Sequence, residues 1–314
     1  MIKTGVQSAG WYNRENPLAS FEYIKSCGFE AIDFNIDHYL NTGKLAKEGM
    51  TETFFDQSTE EILAFFTPLK EASEQTGVEI AQMHAPFPCW FKDQPILNEY
   101  ILTALDKCFA VCEYVHCPAI VVHPNPGTTK AEEWENDMAL YRPLIPIIKK
   151  YKGIKICLEN IFTRRGTRMT EGRLSTAAEA CRILDTLNEE AGGDYFGFCL
   201  DVGHASLTGR NVKEFVKELD HRLTVLHIHD NNALDDLHMI PYSYLSTGSV
   251  HTCDWQGFVE GLAEIGYQGT LAFETFRIFS AYPAAVHTEA LRLIAAIGNY
   301  WKTIIEAPSA PSEK

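Results

Sequence analysis

Six short β-like runs of this 314-residue chain end in side chains that can bind a divalent metal or move a proton. They are His84 in VEIAQMH, His123 in AIVVH, Glu159 in IKICLE, Asp201 in FGFCLD, His227 and His229 in LTVLHIH, and Glu274 in GTLAFE. The fifth of these opens into LHIHDNNALDDLHMIP, which adds Asp230, Asp235, Asp236 and His238 within a dozen residues. Carboxylates gathered in one place repel one another and are costly to desolvate. A divalent cation removes that cost, and mixed Glu/Asp/His ligation suits Mn²⁺, Zn²⁺, Co²⁺ or Mg²⁺. The residue types therefore point to a metal site.

These groups can meet only if the runs lie side by side. IKTGVQS (2–8) and FEAIDFN (29–35) complete a set of eight, and amphipathic stretches separate them. In TEEILAFFTPLKEASEQT, for example, Ile62, Phe65, Phe66 and Leu69 recur at helical spacing. Gly28 and Gly77 suit the left-handed end of a helix just before a strand. Eight strand–helix units predict an α/β fold, a single-domain (β/α)8 TIM barrel over residues 1–302, whose active site lies at the carboxyl ends of the strands. A doubly wound sheet would normally open on a glycine-rich turn, whereas the first turn reads QSAGWYNRENP. Side-chain alternation adds a test: if Glu159, Asp201 and Glu274 face inward, so do Cys157, Cys199, Gly197 and Ala272. Small residues inside and large ones outside would leave a polar cavity at the top.

A net charge of −15 argues against nonspecific attraction to nucleic acid or anionic membranes. No apolar run approaches the length of a membrane span, and MIKTGVQSAG does not resemble a secretory leader. Nine scattered cysteines without a CxxC pair fit reduced thiols, and a cytoplasmic location is expected. The tail 303–314, containing EAPSAPSEK, is expected to be flexible. His38, His116, His221 and His287 read as surface or helix-end residues, and His251 precedes a helix beginning near Asp254.

With LEN (158–160), LDVGH (200–204), HIHD (227–230) and FET (273–275) in these positions, the chain resembles the xylose isomerase-like TIM-barrel superfamily. This group includes sugar and sugar phosphate isomerases and epimerases, inosose dehydratases and endonuclease IV. The resemblance runs from the first strand to Glu274. It implies one divalent ion on Glu159, Asp201, His227 and Glu274, with His229 as the rival of His227 and a second ion left open. It further implies that Glu159 and Glu274 act as acid and base on a small carbohydrate, through a metal-stabilised enediolate. His204 would bind a substrate hydroxyl or an additional metal, or orient Asp201. His84, His123, Asp236 and His238 join the substrate-binding candidates.

Two positions depart from the ketose 3-epimerases: Ala233 stands where they carry an arginine, and Arg165 where they carry a substrate-binding glutamate. A different sugar or sugar derivative fits better. Endonuclease IV needs nine ligands for three zinc ions, and His84, His123, Glu159, Asp201, His204, His227, Asp236, His238 and Glu274 match them. The APFPCW continuation after His84 and the acidic balance speak against that activity. A lyase using the same enediolate chemistry is an alternative, and a sugar-binding module without catalysis is another. The loop TRRGTRMTEGR brings Arg164, Arg165, Arg168 and Arg173 near Glu159, as an anion grip or a solvated loop. Trp11, Phe87, Trp90 and Phe276 could stack on a sugar face or pack at the rim. The partner expected is a small carbohydrate, not a nucleic acid or membrane, and homo-oligomers are compatible with the reading.

Overall fold

The computed structural model describes residues 1–245 and 252–307. Eight parallel strands form one sheet: β1 (Lys3–Gln7), β2 (Ala31–Asn35), β3 (Glu79–His84), β4 (Ala119–Val121), β5 (Lys155–Glu159), β6 (Phe196–Asp201), β7 (Leu223–His227) and β8 (Thr270–Phe273). From β1 to β7 each strand pairs with the next in chain order, and β8 pairs with β1. The barrel closes just past β7, where Ile228 N donates to Ala272 O at 2.9 Å and Glu274 N donates to Ile228 O at 3.0 Å. The fold is the (β/α)8 TIM barrel that the alternating pattern predicts. The strands are shorter than the apolar runs, so His123, His229 and Glu274 lie just beyond their ends.

A helix follows every strand, and local chemistry sets where it starts. Ser58 and Glu61 form a reciprocal capping box on Thr59–Thr76, which stops at Gly77 with φ of 71°. Large apolar side chains fill the layer between strands and helices. The ring of Trp301, fully buried, lies against Phe273 with centroids 5.6 Å apart. Ala119, Val121, Cys157, Cys199 and Val225 form a separate cluster inside the barrel, as the alternation requires. All nine cysteines are free thiols, and no described helix is long and apolar enough to cross a membrane.

Two sequence expectations change. The loop after β5 is a β-hairpin, Phe162–Arg165 paired with Arg168–Glu171, because its exposed Thr/Arg pattern carries no apolar periodicity to announce strands. The final helix, His287–Ile305, passes the expected boundary at 302 because Ile305 is still buried in the core. The remainder of the tail, 308–314, and His251 lie outside the described residues. Asp254 itself caps the helix Trp255–Glu264 by accepting from Gly257 N at 2.9 Å.

Candidate metal centre

The strand ends converge on a cavity of about 460 Å³ at the carboxyl face of the barrel. Its lining includes Gln7, His84, His123, Glu159, His204, Asp236, His238 and Glu274. Glu159, Asp201, His227 and His229 are all buried to within 1% of full. Alternation puts them there: each sits in register with inward neighbours Cys157, Cys199 or Val225 below.

Two linked groups emerge. In the first, His227 Nδ1 lies 3.3 Å from Glu159 Oε2 and 3.6 Å from Glu274 Oε2, while its Nε2 lies 3.3 Å from Asp33 Oδ2. His84 stacks on His227 with centroids 4.3 Å apart, and its Nδ1 is 3.2 Å from Asp33 Oδ2. His123 Nε2 stands 2.9 Å from Glu159 Oε2. Gln7 Nε2 donates to Glu274 Oε1 at 2.5 Å. In the second group, His229 Nε2 lies 3.1 Å from Asp201 Oδ1 and 3.6 Å from Asp236 Oδ1. His204 joins the two groups, with Nδ1 3.3 Å from Glu159 Oε1 and Nε2 3.5 Å from Asp236 Oδ2.

The loop LHIHDNNALDDLHMIP is pinched at its base by the backbone pair Asp230–Met239, at 2.8 and 3.0 Å. Ala233 and His238 adopt positive φ, 63° and 48°, which folds the loop back over the barrel mouth. Asp236 and His238 thereby return to the site. His238 Nε2 is 3.0 Å from Asp236 Oδ2, and its ring stacks on His229 at 4.0 Å. Gly203 must be glycine here, because a Cβ would fall 2.0 Å from His229 Cε1. Asn160, from LEN, ties β5 to β6: its Oδ1 accepts from Asp201 N and its Nδ2 donates to Asp201 O, both at 2.8 Å. Asp201 also caps the short helix Val202–Leu207 by accepting from His204 N at 2.6 Å, which fixes His204 beside it.

The electrostatics are those of alternating charges. Burial alone would raise the carboxyl pKa of Glu159, yet His123 and His227 pull it well below the usual range. His204 and His229 do the same for Asp201, and His84 and His227 for Asp33. Burial lowers His84 and His229, but Asp33 and Asp201 respectively carry them up to about 9.

Several buried donor atoms are left over. Among the described residues, Glu159 Oε2, Asp236 Oδ1, His123 Nδ1, His229 Nδ1 and both nitrogens of His227 have no hydrogen-bond partner. Glu159 Oε2 stands close to His123 Nε2 without making a hydrogen bond to it. Such orphaned atoms are rare in folded proteins. Nitrogen and carboxylate donors with unused lone pairs, gathered within 4.8 Å in sets such as His84–His123–Glu159 and Asp201–His204–His229, fit divalent cations.

Other expected site residues lie elsewhere. Trp11 packs under the rim, donating from Nε1 to Gln7 O at 2.6 Å and meeting Tyr12 and Phe21 edge-on. Arg165 is exposed at the hairpin turn, outside the cavity lining. Arg164 pairs with Asp235 at 3.1 Å. Phe87 and Phe276 do line the cavity, the latter tilted against His238, and Phe162, not among the expected residues, joins them edge-on to His204. Arg173 is no anion grip, because its buried guanidinium is held by Glu133 at 2.7 Å and by Asp137. Removing one partner of a buried pair strands the other charges, so Arg173→Met is expected to cost about 3–5 kcal/mol of stability. Denaturant midpoints would check this, with exposed Arg165→Met shifting stability by less than about 0.5 kcal/mol. Asp33 was the residue missed by strand-end reasoning, although it shares the inward face of AIDFN with Asn35.

A family model described as "Xylose isomerase-like TIM barrel" matches residues 21–297. The uncharacterized protein MJ1311 of Methanocaldococcus jannaschii is 29% identical over 228 residues, spanning 68% of this chain and 70% of the relative. Among solved structures, 3-keto-D-glucoside 4-epimerase, YcjR, from E. coli superposes with a TM-score of 0.67 at 18% identity, covering 94% of this chain and all of that one. The structure of the IolI protein with a bound zinc atom gives 0.60 at 18% identity, covering 97% of this chain and 98% of that one.

Proposed function

The chain belongs to the xylose isomerase-like TIM barrel family, and we propose that it is a divalent-metal-dependent isomerase or epimerase of a small sugar or sugar derivative. The observation that carries this reading is the pairing of two buried carboxylates, Glu159 and Glu274, about one imidazole nitrogen of His227. Glu159, His227 and Glu274 lie together and would hold the ion with Asp201, which stands beside His229 and His204. His204, Asp236 and His238 offer donors for a second. When bound, the ion supplies Lewis-acid polarisation of neighbouring substrate oxygens. A zinc-bearing structure and a sugar epimerase among the similar folds support the same choice.

The protein's own groups account for the proton transfers. One glutamate removes the proton from a carbon beside a carbonyl, and the other delivers a proton to complete isomerisation or epimerisation. Gln7 holds Glu274 Oε1, leaving Oε2 turned toward His227, while His123 fixes Glu159 from the other side. Their low exposure, 1% for Glu159 and 8% for Glu274, keeps bulk water from competing for the proton.

The test is solvent exchange. Protein loaded with Mn²⁺ and incubated in deuterated water with aldoses, ketoses and keto-sugars should place deuterium at the carbon next to the carbonyl. Product analysis then separates isomerisation from elimination. No incorporation across the panel, together with incision of an abasic-site duplex, would replace this reading with a nuclease.

A further inference from the structure

Beside the central cavity lies a second one of about 410 Å³, lined by Phe87, Pro88, Trp90, Phe91, Pro126 and Gly127 among others. Phe87 lines both, and its ring stands edge-on to His123 with centroids 4.5 Å apart. The second cavity occupies the gap between the loops that follow β3 and β4. Those loops follow His84 and His123, and the two cavities meet at Phe87.

The two cavities differ in what they offer. The central one presents charged atoms without partners, including Glu159 Oε2 and Asp236 Oδ1. In the outer one the polar side chains are already engaged. Lys92 Nζ donates to Glu132 Oε1 at 2.7 Å, Thr128 N donates to Glu132 Oε2 at 2.9 Å, and Asn136 Nδ2 donates to Pro126 O at 2.8 Å. What faces the space is then aromatic and prolyl carbon. The wall is also braced, since Asn98 clamps the backbone of Phe91 through bonds of 2.8 and 2.7 Å. Phe87 is 49% exposed, so its ring is available to the space that both cavities share.

We propose that this cleft is an aglycone subsite, and that the substrate is a sugar derivative that keeps a free carbonyl on the sugar and carries an apolar, ring-shaped substituent. The proposal rests on the central cavity being the sugar site. The sugar would lie among the carboxylates and imidazoles. Its substituent would pass Phe87 and pack against Trp90 and Phe91, where planar rings gain most from burial.

Phenyl and methyl β-D-glucopyranosides, with the galactoside and mannoside pairs, serve as probes for calorimetry and saturation-transfer NMR on the metal-loaded protein. The phenyl member of a pair should bind about tenfold tighter or more, with saturation strongest on its ring protons. Trp90→Ala should reduce that preference, and Trp90→Ala with Phe91→Ala should remove it, while metal binding and melting temperature report that the variants are folded. Equal affinities in every pair, a preference surviving the double substitution, or no binding by any glycoside would overturn the subsite. Deuterium exchange with free sugars does not involve the cleft. Its persistence without a phenyl preference defeats the subsite alone, and its absence with the preference intact defeats the catalytic reading alone.

Discussion

Glu159→Gln and Glu274→Gln should each lower turnover by about a thousandfold or more. Glutamine keeps the shape of the side chain but cannot accept or deliver a proton at neutral pH. Both positions also lose a negative charge that the surrounding imidazoles are arranged to balance: His123 and His227 at Glu159, and His227, His84 and His238 near Glu274. Separating the two roles requires a second measurement. If one glutamate removes the substrate proton and the other returns one, the base variant loses deuterium exchange along with turnover. The acid variant loses turnover but keeps exchange at the first carbon. Metal content measured on each variant separates lost proton transfer from lost ligation. Wild-type turnover in both variants would end the assignment.

Much of this site was legible because a strand imposes a period of two. Once Glu159, Asp201 and Glu274 are placed inward, Cys157, Cys199 and Ala272 must follow, and the small interior cluster of the barrel contains both cysteines. The same rule applied to AIDFN would have found Asp33, whose carboxylate touches His84 and His227 from beneath. Asp236 and His238 were harder to place. Their return depends on the Asp230–Met239 backbone pair and on positive φ at Ala233 and His238, neither a glycine whose type would announce the turn. Arg173 misleads for a different reason. Its partners, Glu133 and Asp137, lie on the preceding helix, so the sequence shows a positive charge in a loop and hides what neutralises it. His227 and His229 divide the carboxylates between them, the first beside Glu159 and Glu274 and the second beside Asp201 and Asp236. Two imidazoles on one inward face of a strand follow from alternation, but their division of partners depends on the neighbouring strands.

Chelation of the metal should abolish turnover and lower the melting temperature, and restoring it should release protons. The proton count follows from the charge arrangement. A histidine must present a neutral nitrogen to a metal, whereas in the metal-free protein the carboxylates favour the protonated ring. Burial works against that charge, yet Asp33 and Asp201 raise His84 and His229 to about 9, and Cys199, Glu274 and Glu159 raise His227 as well. Glu159 and Asp201, held below the usual carboxylate range, are already ionised at neutral pH and release nothing. Loading at pH 7 therefore displaces protons from the imidazoles and none from Glu159 or Asp201. Affinity should tighten about tenfold per pH unit for each proton displaced, and level off once pH passes the raised range of the ligating imidazole. A metal at one hundred times its dissociation constant adds about 2.7 kcal/mol to stability, so the melting temperature should fall by several degrees on its removal. Calorimetric titration in two buffers of different ionisation enthalpy counts the protons directly. Affinity that is flat from pH 6 to 9 with no proton release, or turnover that survives exhaustive chelation, would show that these imidazoles do not serve a metal.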